Sequence, residues 1–218
     1  MMPCVWSLAI PQFKAAVKAQ ASSASRTSTA KEATKSRPPH ARSIKAIHRN
    51  TSDRAGHTPA IKWLQGQRLA FEVRPYAYVE RGGAVNSAHV LGLDPYAAVN
   101  TLVMQGELGR AVVVLMHGNA EVYTKALARE VSCKTVTTCL PKEANKDSGY
   151  VVGGTSPFGL RKDMPVYVET SVLALPMMAI NAGKLGLLVL VDPTCLLRLG
   201  AVAVQCAKPK TLRWQLMH

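Results

Sequence analysis

A change of texture at Thr58 constrains this chain more than any other feature. Before it, residues 20–56 (QASSASRTSTAKEATKSRPPHARSIKAIHRNTSDRAG) are mostly Ser, Thr, Ala and basic side chains, with almost nothing to bury. Such a segment does not offset the entropy of ordering itself, so disorder is expected there. Only the residues from Thr58 onward can build a core. The expected organisation is a basic tail over 1–56, a single domain over 57–207 and a basic C-terminal tail over 208–218.

From Thr58 the signals of regular structure begin. Thr58 precedes Pro59 at a first helical position, and Ile61 and Leu64 come next at helical spacing. Leu69 to Tyr76 alternates apolar and polar residues as a half-buried strand does. Ala84 to Leu91 reads as a helix ending at Gly92, and Asn100–Gln105 with Arg110–Met116 as paired strands across the Gly106–Gly109 turn. Asn119 is placed to cap a helix running to Val131, with Val122, Ala126, Leu127 and Val131 along one face. Lys134–Thr138 reads as a short strand. After a glycine-rich segment come a strand at Val166–Glu169, apolar Val172–Ile180, a strand at Leu187–Val191, a helix over Pro193–Leu199 and a last strand within Ala201–Gln205. Strands and helices intermix, and some strands join directly. The pattern predicts an α/β domain of the mixed α+β kind, with a mixed, partly antiparallel sheet flanked by helices.

The formal charge is +14, and its distribution is uneven. Residues 1–50 carry nine Lys or Arg against Glu32 alone, a net of +8, which leaves +6 for the rest. Basic chains suit polyanions, because neutralised phosphates release counterions whatever the base sequence; a basic protein with no nucleic-acid role fits the charge equally well. A basic, Ser-rich start matches a mitochondrial or plastid transit peptide, with a cytoplasmic location and an RNA-binding arm as the other readings. The five cysteines form no C-x-x-C pair, and the six scattered histidines offer no metal-ligand constellation, so no metal or cofactor is expected. Leu185–Val204, the most apolar stretch, is broken by Asp192-Pro193 and Arg198, and no membrane partner is expected.

Ser148–Gly159 (SGYVVGGTSPFG) is the segment suited to chemistry. The Gly153-Gly154 pair lets backbone approach a ligand and turn N–H groups into a concavity, and Pro157 stiffens the exit. A bulge with no ligand has the same composition, and no Walker or Rossmann spacing accompanies it. His117 and Asp163 show no pattern tying them to Ser156 as a nucleophile.

The run GYVVGGTSPFGLRKDMP resembles the signature of the YbaK family and of the related editing domain of bacterial prolyl-tRNA synthetases. Gly153 and Pro157 match its Gly-x-x-x-Pro motif, with Gly149, Tyr150, Gly154, Ser156, Gly159 and Pro165 in step. Thr58-Pro59-Ala60 with Leu64 resembles the family's opening helix, Tyr76 its strand-end tyrosine, Leu91–Pro95 its L-G-L-x-P junction, and Asn181–Gly186 its late glycine turn. The resemblance implies the YbaK/prolyl-tRNA-synthetase-associated fold. It also implies hydrolysis, without a cofactor, of the ester joining a small mischarged amino acid, cysteine or alanine, to tRNA, with proline tRNA foremost. The implied partners are the acceptor end of aminoacyl-tRNA and an aminoacyl-tRNA synthetase. Gly153, Gly154 and the residue at the family's lysine position would carry catalysis; Tyr76, Tyr150, Thr155, Ser156, Pro157, Ala182 and Gly183 would bind substrate. Asn100 stands at that lysine position, and Leu188 where cysteine-editing members have Asp. Asn offers two donors, an acceptor and no charge. The alternative implied is a catalytically impaired member that binds tRNA or a synthetase as an accessory, unless Lys125 or Lys162 reaches the site instead.

Overall fold

The computed structural model describes residues 57–80 and 82–210. The expectations for residues 1–56, including disorder and the transit peptide, lie outside the described residues. The opening helix α1 (Pro59–Gly66) starts as its sequence dictates: Thr58 is extended, its Oγ1 accepts the Ile61 N–H at 3.2 Å, and proline occupies the first turn. Ala60, Ile61 and Leu64 are its buried face. Trp63 stacks on Phe158 with ring centroids 5.1 Å apart, which ties the helix to the far end of the glycine-rich loop.

The main sheet contains β1 (Phe71–Pro75), β2 (Ala98–Gly106), β3 (Ala111–His117), β5 (Val136–Thr138), β6 (Val166–Glu169), β7 (Met178–Asn181), β8 (Leu187–Val191) and β9 (Val202–Val204). Their order is β1-β8-β7-β2-β3-β6-β9, with β5 also paired to β2. Three neighbouring pairs are parallel (β7 with β2, β3 with β6, β6 with β9) and the others antiparallel, so the sheet is mixed as expected. Alternate residues of the central strands (Val99, Val103, Val113, Leu115, Val168, Ile180 and Val189) meet α1, Phe158 and Leu196 in one core. The helix α2 (Gly83–Val90) packs against β2.

Two readings of the sequence need correction. Asn119 caps no helix: Ala120–Val122 is a strand, β4, and the helix α3 runs only over Thr124–Glu130. Pairing decides this, because β4 forms a separate two-stranded sheet with β10 (Ala207–Pro209), and the Tyr123 N–H is held by the Cys206 carbonyl at 2.6 Å. Lys208 and Pro209, placed in the basic tail on sequence, therefore belong to a strand, and Lys208 pairs with Glu121 at 3.3 Å. Within the glycine-rich region, Pro141–Ser148 forms a helix, α4, that hydropathy did not reveal. The remaining elements are α5 (Thr170–Leu173) and a 3-10 helix over Pro193–Leu199. No helix among the described residues is long and apolar enough to cross a membrane.

Candidate active site

The parallel contact between β2 and β7 is only two residues long, Ala98 with Ala179 and Val99 with Ile180. Past it the strands part, and β2 pairs with β5 from Met104 onward. A cavity of about 740 Å³ opens at this fork, lined by Tyr76, Tyr78, Ser87, Asn100, Gly153, Thr155 and Asn181 among others. Ladder alternation fixes what the wall presents. Bonds from Gly118 N–H to Ala98 C=O (2.6 Å) and from Gly106 N–H to Arg110 C=O (3.2 Å) assign the even-numbered residues of β2 to β3. The odd-numbered ones face the other way. Val103 C=O there meets Cys139 N–H at 3.1 Å, while the Thr101 N–H and C=O face the gap.

The register also sets side-chain direction. Ala98 and Ala179 are partners, so Asn100 and Asn181, two residues on, lie on one face of the sheet and flank the fork. Leu188, the partner of Asn181, is buried on the same face, so no carboxylate stands beside that asparagine. Neither carboxamide has a hydrogen-bond partner among the described residues. The one charged side chain among the described residues lining the cavity is Glu80. Lys125 and Lys162, considered as substitutes for the family's lysine, do not line it, and Lys162 is ion-paired with Asp147.

Four of the residues singled out on sequence meet at this cavity: Tyr76, Asn100, Gly153 and Thr155. Tyr76 sits just past β1, its N–H donating to Gly186 C=O at 2.9 Å. Burial raises its hydroxyl pKa, opposed first by the bond to Ser87. The other six form packing behind the walls. Gly154 donates its N–H to Val151 C=O at 2.9 Å, and a Cβ there would meet Leu185 N at 2.9 Å, so this glycine allows two loops to touch. Tyr150 is buried, its hydroxyl donating to Phe158 C=O at 2.6 Å, with Gly159 C=O at 3.1 Å; burial pushes its pKa up to about 12. Ser156 Oγ is buried and accepts the Phe158 N–H at 3.4 Å, and Pro157 beside it is buried. Ala182 C=O takes the Thr58 hydroxyl, and Gly183 lies against the Tyr150 ring.

Among the loop residues that line the cavity, Gly153 and Thr155 have N–H groups with no acceptor among the described residues. His117 is not paired with Ser156. Its Nδ1 faces Tyr96 C=O at 2.6 Å and its Nε2 faces Ser171 Oγ at 2.8 Å. Since the carbonyl only accepts, Nδ1 carries the proton; the Ser171 hydroxyl lies between Nε2 and Glu169 Oε1, which is 3.5 Å away. Among the described residues no cluster of His, Cys, Asp and Glu is arranged to hold a metal. Sequence reasoning missed Asn181, Tyr78 and Thr101; strand register reveals the first and the last, and Tyr78 comes from the segment that follows β1.

The family model described as the aminoacyl-tRNA editing domain matches residues 83–199. The chain is 28% identical over 143 residues to a candidate Cys-tRNA(Pro)/Cys-tRNA(Cys) deacylase, EbsC, of Enterococcus faecalis, a match spanning 65% of this chain and 87% of that one. A crystal structure described as a candidate trans-editing enzyme for prolyl-tRNA synthetase is similar at TM-score 0.60 and 23% identity, covering 70% of this chain and 99% of the other. The structure of hypothetical protein APE2540 is similar at TM-score 0.64 and 19% identity, covering 69% and 100%. At these identities the two structures establish the fold.

Proposed function

This chain belongs to the aminoacyl-tRNA editing domain family, and from that membership we propose that it acts in trans as a deacylase, removing cysteine or alanine from mischarged tRNA, proline tRNA foremost. The observation that carries the reading is the fork cavity, where unpartnered N–H groups of Gly153 and Thr155 share one wall system with the carboxamide of Asn100. An aminoacyl ester is already activated, so positioning and electrostatic stabilisation suffice for its hydrolysis. Water adds to the ester carbonyl, and the oxyanion is held by backbone donors of the Gly153–Thr155 turn. The carbon–oxygen bond to the ribose then breaks, the ribose oxygen takes the proton released by the water, and the free amino acid leaves. The Nδ2 donors of Asn100 orient the ribose end by hydrogen bonding. A second, hydrolytic sieve of this kind is required wherever a synthetic pocket discriminates poorly between small side chains.

The test is release of amino acid from Cys- and Ala-charged proline tRNA by the purified chain. No release at high protein concentration excludes these substrates. Asn100→Ala is expected to lower kcat/KM by about 10- to 100-fold, the range for losing a substrate hydrogen bond in a site of this kind.

One observation favours a second reading, in which the chain binds tRNA or a synthetase as an accessory. Asn100 brings no charge to the lysine position, and no other cation lines the cavity among the described residues. On that reading the parent chain is inactive and Asn100→Lys creates activity.

A further inference from the structure

The chain carries a formal charge of +14, yet among the described residues the fork cavity is lined by one charged side chain, and that one is acidic. Phosphates are not drawn into such a cavity. A cation or a neutral polar group is, because a low-dielectric wall strengthens attraction to any carboxylate and acceptor it presents. The acceptors at the fork are specific. Asn100 and Asn181 bring two carboxamides to the same face of adjacent strands, at equivalent positions just past the last paired residues. Both are unpartnered among the described residues, so both oxygens are available. Between them the Thr101 C=O is turned into the gap by the ladder alternation. Glu80 stands on the cavity lining as the compensating charge. Three neutral oxygens and a carboxylate, with no cation among the described lining residues, suit an ammonium group, which has three donors and no acceptor.

We propose that the fork between β2 and β7 binds the α-ammonium of the aminoacyl group through the side-chain oxygens of Asn100 and Asn181 and the Thr101 carbonyl, so that the site acts on esters of amino acids with a free amino group and rejects N-acylated ones. The proposal rests on the deacylase reading for its substrate and makes Asn181 a substrate-positioning residue. It places the reacting carbonyl, one bond from the α-carbon, toward the Gly153–Thr155 donors that line the same cavity.

The experiment compares full-length protein on alanyl-tRNA and N-acetylalanyl-tRNA made from the same tRNA. A kcat/KM at least about tenfold lower for the acetylated ester is expected, the scale of a hydrogen-bonded charge. Equal rates overturn the proposal and leave the deacylase reading intact. If neither ester is hydrolysed, the deacylase reading fails, and binding decides the proposal: adenosine carrying alanine through a 3′-amide is titrated with its amino group free and acetylated. At least tenfold tighter binding of the free amine is expected; equal or weaker binding overturns the proposal. Charge separates ammonium recognition from simple exclusion of bulk. Asn181→Asp is expected to raise the preference for the free amine severalfold, and Asn181→Leu, of similar volume, to lower it. A preference that neither variant changes overturns the assignment to Asn181; if Asn181→Leu does not fold, the Asp variant alone decides.

Discussion

Gly183 shows how a residue far from any reacting atom shapes the site. Its φ is +86°, and a Cβ built on it would lie 2.6 Å from Cε1 of Tyr150. Tyr150 is itself fixed, buried with its hydroxyl bonded to Phe158 C=O, so the ring does not yield. Gly183→Ala therefore combines left-handed backbone strain with overpacking, and about 2–5 kcal/mol of stability should be lost in urea unfolding. In a Tyr150→Ala background the same change should cost only the backbone part, about 1–2 kcal/mol. At this scale the sequence showed the presence of the site better than its members. The glycine-rich run is visible as composition, but whether Gly153 or Gly154 offers its N–H depends on the turn that bonds Gly154 to Val151. Tyr150, placed among the substrate-binding residues by the resemblance, has its hydroxyl bonded inward to Phe158 C=O, which no row of letters shows. Asn181 is inconspicuous in a row of letters, because its relation to Asn100 exists only through strand register.

The cap of α1 connects two elements that sequence keeps far apart. Thr58 Oγ1 accepts the Ile61 N–H, and its hydroxyl donates to the Ala182 carbonyl just past β7. Thr58→Ala removes both bonds. A loss of about 1–2 kcal/mol is expected in chemical denaturation, and Thr58→Ser should restore most of it. The Thr-Pro start of this helix was legible, as were β6 and β8, whose bounds Val166–Glu169 and Leu187–Val191 come directly from their apolar runs. Elements that depend on distant partners were not. Val122 fits the helical face of Ala126, Leu127 and Val131, yet it pairs with Ala207, and this long-range ladder takes Ala120–Val122 out of the helix. The helix α4 escaped notice for another reason. Its PKEANKDS sequence buries only Ala144 and Ser148, too little for an apolar periodicity. Local chemistry thus announces caps and buried strands, whereas short edge strands and polar helices are decided by the rest of the fold.

Across the whole molecule, burial sets the alkaline limit of stability. It pushes the Cys139 thiol up to about 11 and those of Cys195 and Cys206 up to about 12, from 9.0, and the Tyr150 hydroxyl up to about 12, from 10.0. Each folded value lies above the unfolded one, so the folded state holds these protons where the unfolded state releases them. Their contribution is complete below about pH 9 and is lost progressively as the pH rises toward 11–12. The urea midpoint should accordingly fall between pH 8 and pH 10.5, and fall less steeply in Cys195→Ala; a midpoint flat across that range contradicts the assignment. The same scale separates charge from chemistry. Nine Lys and Arg of residues 1–50 stand against Glu32 alone, while among the described residues the cavity lining holds Glu80 as its sole charge. Phosphate attraction therefore belongs outside the cavity, and the ester and its amino group within it. Replacing those nine basic residues by Gln in the full chain should reduce the slope of log affinity for tRNA against log salt. Each phosphate that is no longer neutralised lowers that slope by roughly 0.7–0.9, so a fall of several is expected with an upper bound of about 6–8. Turnover of saturating aminoacyl-tRNA should not change, because this scheme assigns every contact to the reacting ester to residues of the fork cavity. An unchanged slope would move phosphate recognition onto the domain itself, and a slope that fell together with turnover would mean that the basic segment takes part in presenting the ester to the fork.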